Sequence, residues 1–177
     1  MTRYFSDTIY TLFLGIALAS MILVDLVPFY PSRLWAMPNA PLSFLNSIRQ
    51  FYIDTYNDPY FTSTHPSWFD LFTYIELFYQ FPAAAYLLFQ FLTEKNISGT
   101  TELHALVFSL GFALTTLTCV WDVQYWDPAV YSAPKKLEFM GLIYGPFFLI
   151  PGIMAVDMFL RLQNRLSLVI SKDRKNM

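Results

Sequence analysis

Residues 9–27 read IYTLFLGIALASMILVDLV, an apolar run of 16 residues before it meets Asp25. A helix needs roughly 20 residues to cross the hydrocarbon core of a bilayer. A run of this length without charge places the fold in a membrane. Working outward, Trp68–Leu92, Thr101–Trp126 and Leu137–Leu160 form three further apolar stretches, each interrupted more than the first. A soluble protein with buried helices is the competing reading, but it lacks polar surface to cover them. Only 14% of the 177 residues are charged, against 55% hydrophobic and 19% aromatic, where a soluble domain carries about 25% charged. The expectation is an all-α membrane protein, a four-transmembrane-helix bundle with kinked helices. It forms one domain over 1–177, with spans near 9–27, 68–92, 101–126 and 137–160 and a tail over 161–177.

The net charge of −2 gives no basis for nucleic-acid binding. A single cysteine, Cys119, excludes an internal disulfide framework and a cysteine-based zinc site. Nothing indicates a metal, a cofactor or a catalytic residue. Arg3 followed by an apolar run and Ala17-Leu18-Ala19 looks like a signal peptide with its cleavage site. The run continues through Ser20-Met21-Ile22-Leu23-Val24, so the first span is read as uncleaved.

Four spans place both termini on one side. That side holds 7 basic residues and the other 4, which assigns the termini to the cytosol. The sequon Asn96-Ile97-Ser98 then lies in a cytosolic loop. The ending Arg174-Lys175-Asn176-Met177 resembles a dilysine-type retrieval signal of the endoplasmic reticulum, or is a basic tail beside anionic lipid. Both readings stay open. The luminal loop, Pro28–Pro66, holds six of the 11 prolines. Within it Phe44, Leu45, Ile48, Phe51 and Tyr52 recur at helical spacing, which predicts an amphipathic helix on the membrane or capping the bundle. Ser67 with Asp70 three residues on predicts a capping box.

Seven acids fall within the spans: Asp25, Asp70, Glu76, Glu102, Asp122, Glu138 and Asp157, with no Lys or Arg among them. Four lie near span ends, whereas Asp25, Asp122 and above all Glu76 lie deeper. Glu76 is about 12 Å along a helix from Trp68 at 1.5 Å per residue. An ionised carboxylate there costs at least about 2.5 kcal/mol, so each must be protonated, watered, hydrogen-bonded or paired. Alternating span direction lets these three meet in one cavity. Thr73, Glu76 and Gln80 share a helix face, as do Thr115, Thr118 and Asp122.

Two readings follow, a ligand pocket or an interhelical polar seam that fixes packing. The pocket is preferred, because Tyr74, Phe78, Trp121, Tyr144, Phe147 and Phe148 can line it. Such a site suits a lipophilic molecule with a cationic or hydroxyl-bearing end. Pro82, Pro146 and Pro151 remove helical hydrogen bonds and predict kinks flanking that space.

The blocks Asp58-Pro59, Pro66-Ser67-Trp68-Phe69, Glu76-Leu77-Phe78-Tyr79-Gln80-Phe81-Pro82 and Tyr144-Gly145-Pro146-Phe147-Phe148-Leu149-Ile150-Pro151 resemble those of EXPERA-domain membrane proteins. The sigma-2 receptor branch is the most similar. The resemblance implies a four-helix protein of the endoplasmic reticulum membrane, a homodimer, with a luminal-facing cavity for sterols and lipophilic amines. By position Asp25 and Glu76 match the family's pair of pocket acids. Gln80, Thr115 and Phe147 match lining positions, with Phe147 standing where the family has Tyr. Asp58 matches a structurally important acid of the luminal loop.

The related emopamil-binding branch isomerises a sterol double bond using a histidine one turn before the first-span acid. Here that position is Met21, which cannot transfer a proton, and His65 and His104 lie elsewhere. The resemblance therefore implies a binding protein for sterol handling, with an isomerase as a lesser alternative. Similarity to fungal members also suggests a quality-control role at the endoplasmic reticulum, clearing or rerouting stranded mitochondrial precursors. No motif here carries that role.

Overall fold

The computed structural model describes residues 3–62, 65–94 and 96–176, with side chains for 5–62, 65–94 and 96–171. All regular structure among them is helical. Helix α1 (Arg3–Ser20) runs into a π-turn, Met21–Asp25, and a 3₁₀ turn, Val27–Phe29. The loop that follows contains α2 (Ser32–Trp35), α3 (Ser43–Tyr56) and a 3₁₀ turn, Pro59–Phe61. Then come α4 (Ser67–Ile75), a π-turn, Glu76–Gln80, and α5 (Phe81–Thr93). Helix α6 (Gly99–Asp122) ends in a 3₁₀ turn, Val123–Tyr125. Helix α7 (Ala133–Glu138), a π-turn, Phe139–Ile143, and α8 (Gly145–Asn176) complete the chain.

Four stretches are long and apolar enough to cross a membrane: Phe5–Asp25, Ser67–Thr93, Gly99–Tyr125 and Ala133–Ser171. Only 17–33% of each apolar window is buried within the protein, so most of this apolar surface needs lipid to cover it. The helix predicted in the long loop is α3, with Leu45 buried and Phe51 exposed. It ends at Asn57, whose φ of 53° is the left-handed C-cap that asparagine tolerates. Residues 161–176, read as a tail, continue α8. The terminal retrieval signal lies outside the described side chains.

Each π-turn closes one or two residues before a proline. Leu26 N–H donates to Met21 O at 2.9 Å ahead of Pro28, and Tyr144 N–H to Phe139 O at 2.8 Å ahead of Pro146. Phe81 N–H donates to Glu76 O ahead of Pro82. A proline ring crowds the carbonyl four residues back; widening the preceding turn relieves that contact while keeping its amides bonded. At Gly145 a Cβ would stand 2.9 Å from Met140 O, so the third wide turn needs glycine there. Pro151 sits inside α8.

The capping box at Ser67 does not form. Pro66 occupies the cap position with no side-chain hydrogen bond, and Asp70 is engaged by His65 instead. Ser98 does cap α6, its Oγ accepting from Thr101 N–H at 3.1 Å.

The chain divides into two compact units, Gly15–Ala85, and Met1–Leu14 with Tyr86–Met177. In the second, α6 packs along α8 around Phe108, Met154 and Met158. Phe13, Phe112 and Phe147 form a ring cluster with centroids 5.5–6.5 Å apart. Its polar contacts answer three of the span-end acids. Glu102, 0% exposed, accepts from Arg165 Nε at 2.5 Å and Nη2 at 3.0 Å. Asp157 and Asp7 each meet Arg161 at 2.7 Å, and Tyr10 donates to Asp157 at 3.0 Å. Lys135 pairs with Glu138 at 3.1 Å.

Candidate functional site

Within Gly15–Ala85 a cleft of about 180 Å³ opens between the end of the first span, the loop and the start of the second span. Asp25 and Glu76 both line it, so two span carboxyls face one small space. The two residues stand at the end of one π-turn and the start of another. Single π-turns inside α-helices are frequent at functional sites.

Aromatic rings build the walls. Tyr60, buried, stacks on Phe69 at 4.8 Å, and Phe29 meets Tyr74 edge-on at 5.6 Å. The wall carrying Tyr60 and Phe61 is anchored by Asp58. This fully buried carboxylate accepts from Tyr52 OH at 2.8 Å and from Tyr60 N–H at 3.0 Å. Burial, then the Asp58 charge and hydrogen bond, push the Tyr52 hydroxyl above its ordinary pKa. Asp58 is thus the structural acid of the loop, tying α3 to the turn after it.

The cleft contains a cation that the span-by-span reading did not place there. Arg49 reaches in from α3, donates from Nη1 to Val24 O at 2.8 Å, and lays its guanidinium 5.0 Å from the centre of the Phe61 ring. Burial lowers its pKa and the Asp25 charge opposes that effect; an arginine stays charged under either influence. The signal was present in the sequence as a basic residue between Ile48 and Phe51 on an amphipathic helix, where it read as part of the polar face.

His65, set aside on sequence, also lines the cleft. Its Nδ1 faces Thr62 O at 2.8 Å and its Nε2 faces Asp70 Oδ1 at 2.8 Å. With acceptors at both nitrogens only the imidazolium satisfies both. Its pKa is therefore raised above 6.5, first by the Thr62 carbonyl and then by Asp70. A raised folded-state pKa adds stability below the unfolded pKa and loses it as pH rises through the folded value. The thermal-stability gap between wild type and His65→Gln is accordingly expected to be larger at roughly pH 5.5 than at roughly pH 8.5. Because the pair is part-exposed, that gap stays under about 1 kcal/mol; an equal gap at both pH values would refute the assignment.

Gln80 is buried, 4% exposed, but is not part of the cleft lining, unlike Thr73 and Glu76. The π-turn between Glu76 and Gln80 breaks the i,i+4 stacking assumed for an α-helix. Phe78 and Trp121 are 74% and 61% exposed.

Four predicted residues belong to the other unit. Thr115 bonds back to Phe112 O at 3.0 Å, and Asp122 accepts from Trp126 Nε1 at 3.0 Å. Tyr144 packs on Phe139, and Phe147 joins the ring cluster with Phe13 and Phe112.

These features define a multi-pass α-helical membrane protein with a polar, carboxyl-bearing cleft at the edge of its spans. Residues 44–158 match the model of the EXPERA (expanded EBP superfamily) family. The chain is also 31% identical, over 157 residues, to the efficient mitochondria targeting-associated protein 19 of Schizosaccharomyces pombe, covering 89% of this chain and 76% of that protein. The chain belongs to the EXPERA family. The matched segment contains Arg49, Asp58 and Glu76 and begins after Asp25.

Proposed function

We propose that the protein resides in the endoplasmic reticulum membrane with both termini cytosolic. There it binds sterol-like or cationic lipophilic molecules in its acidic pocket and serves sterol or lipid handling without chemical turnover. One observation carries this reading: two span carboxyls, Asp25 and Glu76, line one aromatic-walled cleft. Apolar walls with a few convergent polar groups are what a lipophilic ligand with one polar end requires.

A non-enzymatic role is favoured because Met21, one turn before Asp25, has no proton to transfer. Both nitrogens of His65 are already committed to Thr62 and Asp70. A homodimer in the bilayer is part of the same reading.

The test is displacement of a radiolabelled sterol and a radiolabelled lipophilic amine from purified protein. Glu76→Gln is expected to weaken binding at least about tenfold, or about 1.4 kcal/mol. Full binding of both probes by that variant would sink the mechanism.

The relative's name, which speaks of mitochondria targeting, favours a second reading. In it the protein helps reroute or clear mitochondrial precursors at the surface of the endoplasmic reticulum. Proximity labelling from the C-terminus tests it; neighbours devoid of precursors and degradation factors would count against it. The two roles are compatible.

A further inference from the structure

The proposed pocket is already supplied with a cation, and that bears on which end group it accepts. Arg49 and Asp25 line the same cleft, with the Arg49 guanidinium fixed by the Val24 carbonyl next to Asp25 and by the Phe61 ring. Among the described residues Arg49 makes no other hydrogen bond. A guanidinium carries five N–H donors, and four of them meet no acceptor among the described residues. Beside them stand acceptors, the oxygens of the Asp25–Glu76 pair.

The charges balance. With one of the two carboxyls ionised, its −1 offsets the +1 of Arg49, and the His65–Asp70 pair at the rim is neutral when His65 is protonated. A hydroxyl both donates and accepts, so it can take a hydrogen bond from Arg49 while giving one to the carboxylate. An ammonium has donors only. Placed there, it would face the donors and positive charge of Arg49.

We infer that Arg49 is a specificity-determining residue of this pocket, selecting neutral, hydroxyl-bearing lipids over cationic amines of the same shape. This rests on the pocket being a ligand site, as proposed above, and narrows its ligand class. Arg49 does from α3 what the amine of a cationic ligand would otherwise do from outside.

The experiment uses two probes with one body: cholesterol and its analogue with a 3β-amino group in place of the hydroxyl. Both are titrated at neutral pH into the full chain in detergent–lipid micelles. Wild type is expected to bind the hydroxyl probe at least about tenfold more tightly. Arg49→Gln is expected to erase or invert that ratio by strengthening amine binding, whereas Arg49→Lys, which keeps the charge, is expected to preserve it.

The ratio is taken within one protein sample, so partial loss of folded Arg49→Gln protein cancels. Should that variant not fold at all, the wild-type ratio alone decides. Amine binding equal to or tighter than hydroxyl binding in wild type overturns the inference, as does a ratio unchanged in folded Arg49→Gln. If both probes bind and Glu76→Gln weakens both, such a result removes the role of Arg49 and leaves the pocket standing. If neither probe binds any variant, the pocket reading fails with it.

Discussion

Arg165→Ala is expected to destabilise the protein by about 3–5 kcal/mol, the usual cost of removing one partner from a buried ion pair. Glu102 is fully buried and takes both its carboxylate oxygens to one guanidinium, at 2.5 and 3.0 Å. The same guanidinium donates to Ile97 O at 2.9 Å, so it closes the loop before α6 as well as holding α6 to α8. Truncation removes these contacts together and leaves a carboxylate in a low-dielectric setting without its counter-ion.

Arg165 is itself 42% exposed along its side chain, so the expected loss comes from the stranded acid and little from the lost arginine packing. The double change Glu102→Leu with Arg165→Leu is therefore expected to recover more than half of it, because an apolar pair of similar volume suits that site. Reversible unfolding in mixed micelles, followed by tryptophan fluorescence, measures both. An Arg165→Ala protein within 1 kcal/mol of wild type would show that the pair carries no more weight than a surface bridge.

The second large effect is expected at Asp58. Asp58→Ala leaves the Tyr52 hydroxyl and the Tyr60 amide without this acceptor, at about 1–3 kcal/mol each, for a total on the order of 2–6 kcal/mol. Asp58→Asn keeps one carbonyl oxygen and is expected to lose less than half as much. Because Tyr60 and Phe61 line the cleft, the alanine variant is also expected to weaken ligand binding, and Asn to do so less. Parallel unfolding and binding curves for the two variants check the order. Equal losses would show that one retained carbonyl oxygen holds nothing here and that the wall depends on the carboxylate itself.

The membrane fold was legible in the first span together with the low charge content, since the chain has too little polar surface to cover such helices in water. The loop helix was legible for a related reason: the spacing of Leu45, Ile48 and Tyr52 needs no knowledge of neighbours. Asp25 and Glu76, which line the cleft, stood out in the sequence because a carboxyl in a span demands an explanation. What answers those acids was not. Arg165, Arg161, Lys135 and His65 each meet an acid within the chain. Two of these pairings span three or four residues on one helix, while Arg165 to Glu102 joins different helices.

Arg49 was harder still. Its partners lie on a span end and on a turn after α3, and only a folded loop brings them together. The seven span acids against no span cation suggested a site short of positive charge. In the structure the loop delivers that charge. Gln80 stands outside the lining of this cleft for a local reason, since face-sharing was counted in α-helical turns across a segment that is not α-helical.

A π-turn amounts to an α-helix with one residue inserted, and that changes how this chain is to be compared with others. The three insertions fall at Met21–Asp25, Glu76–Gln80 and Phe139–Ile143. A protein whose second span is an unbroken α-helix aligns with this one only by a one-residue gap in 76–80. Without that gap every residue of α5 is equated with a neighbour about 100° round the helix. A helical wheel drawn from Ser67 to Thr93 is therefore two wheels, joined at the turn that begins with Glu76.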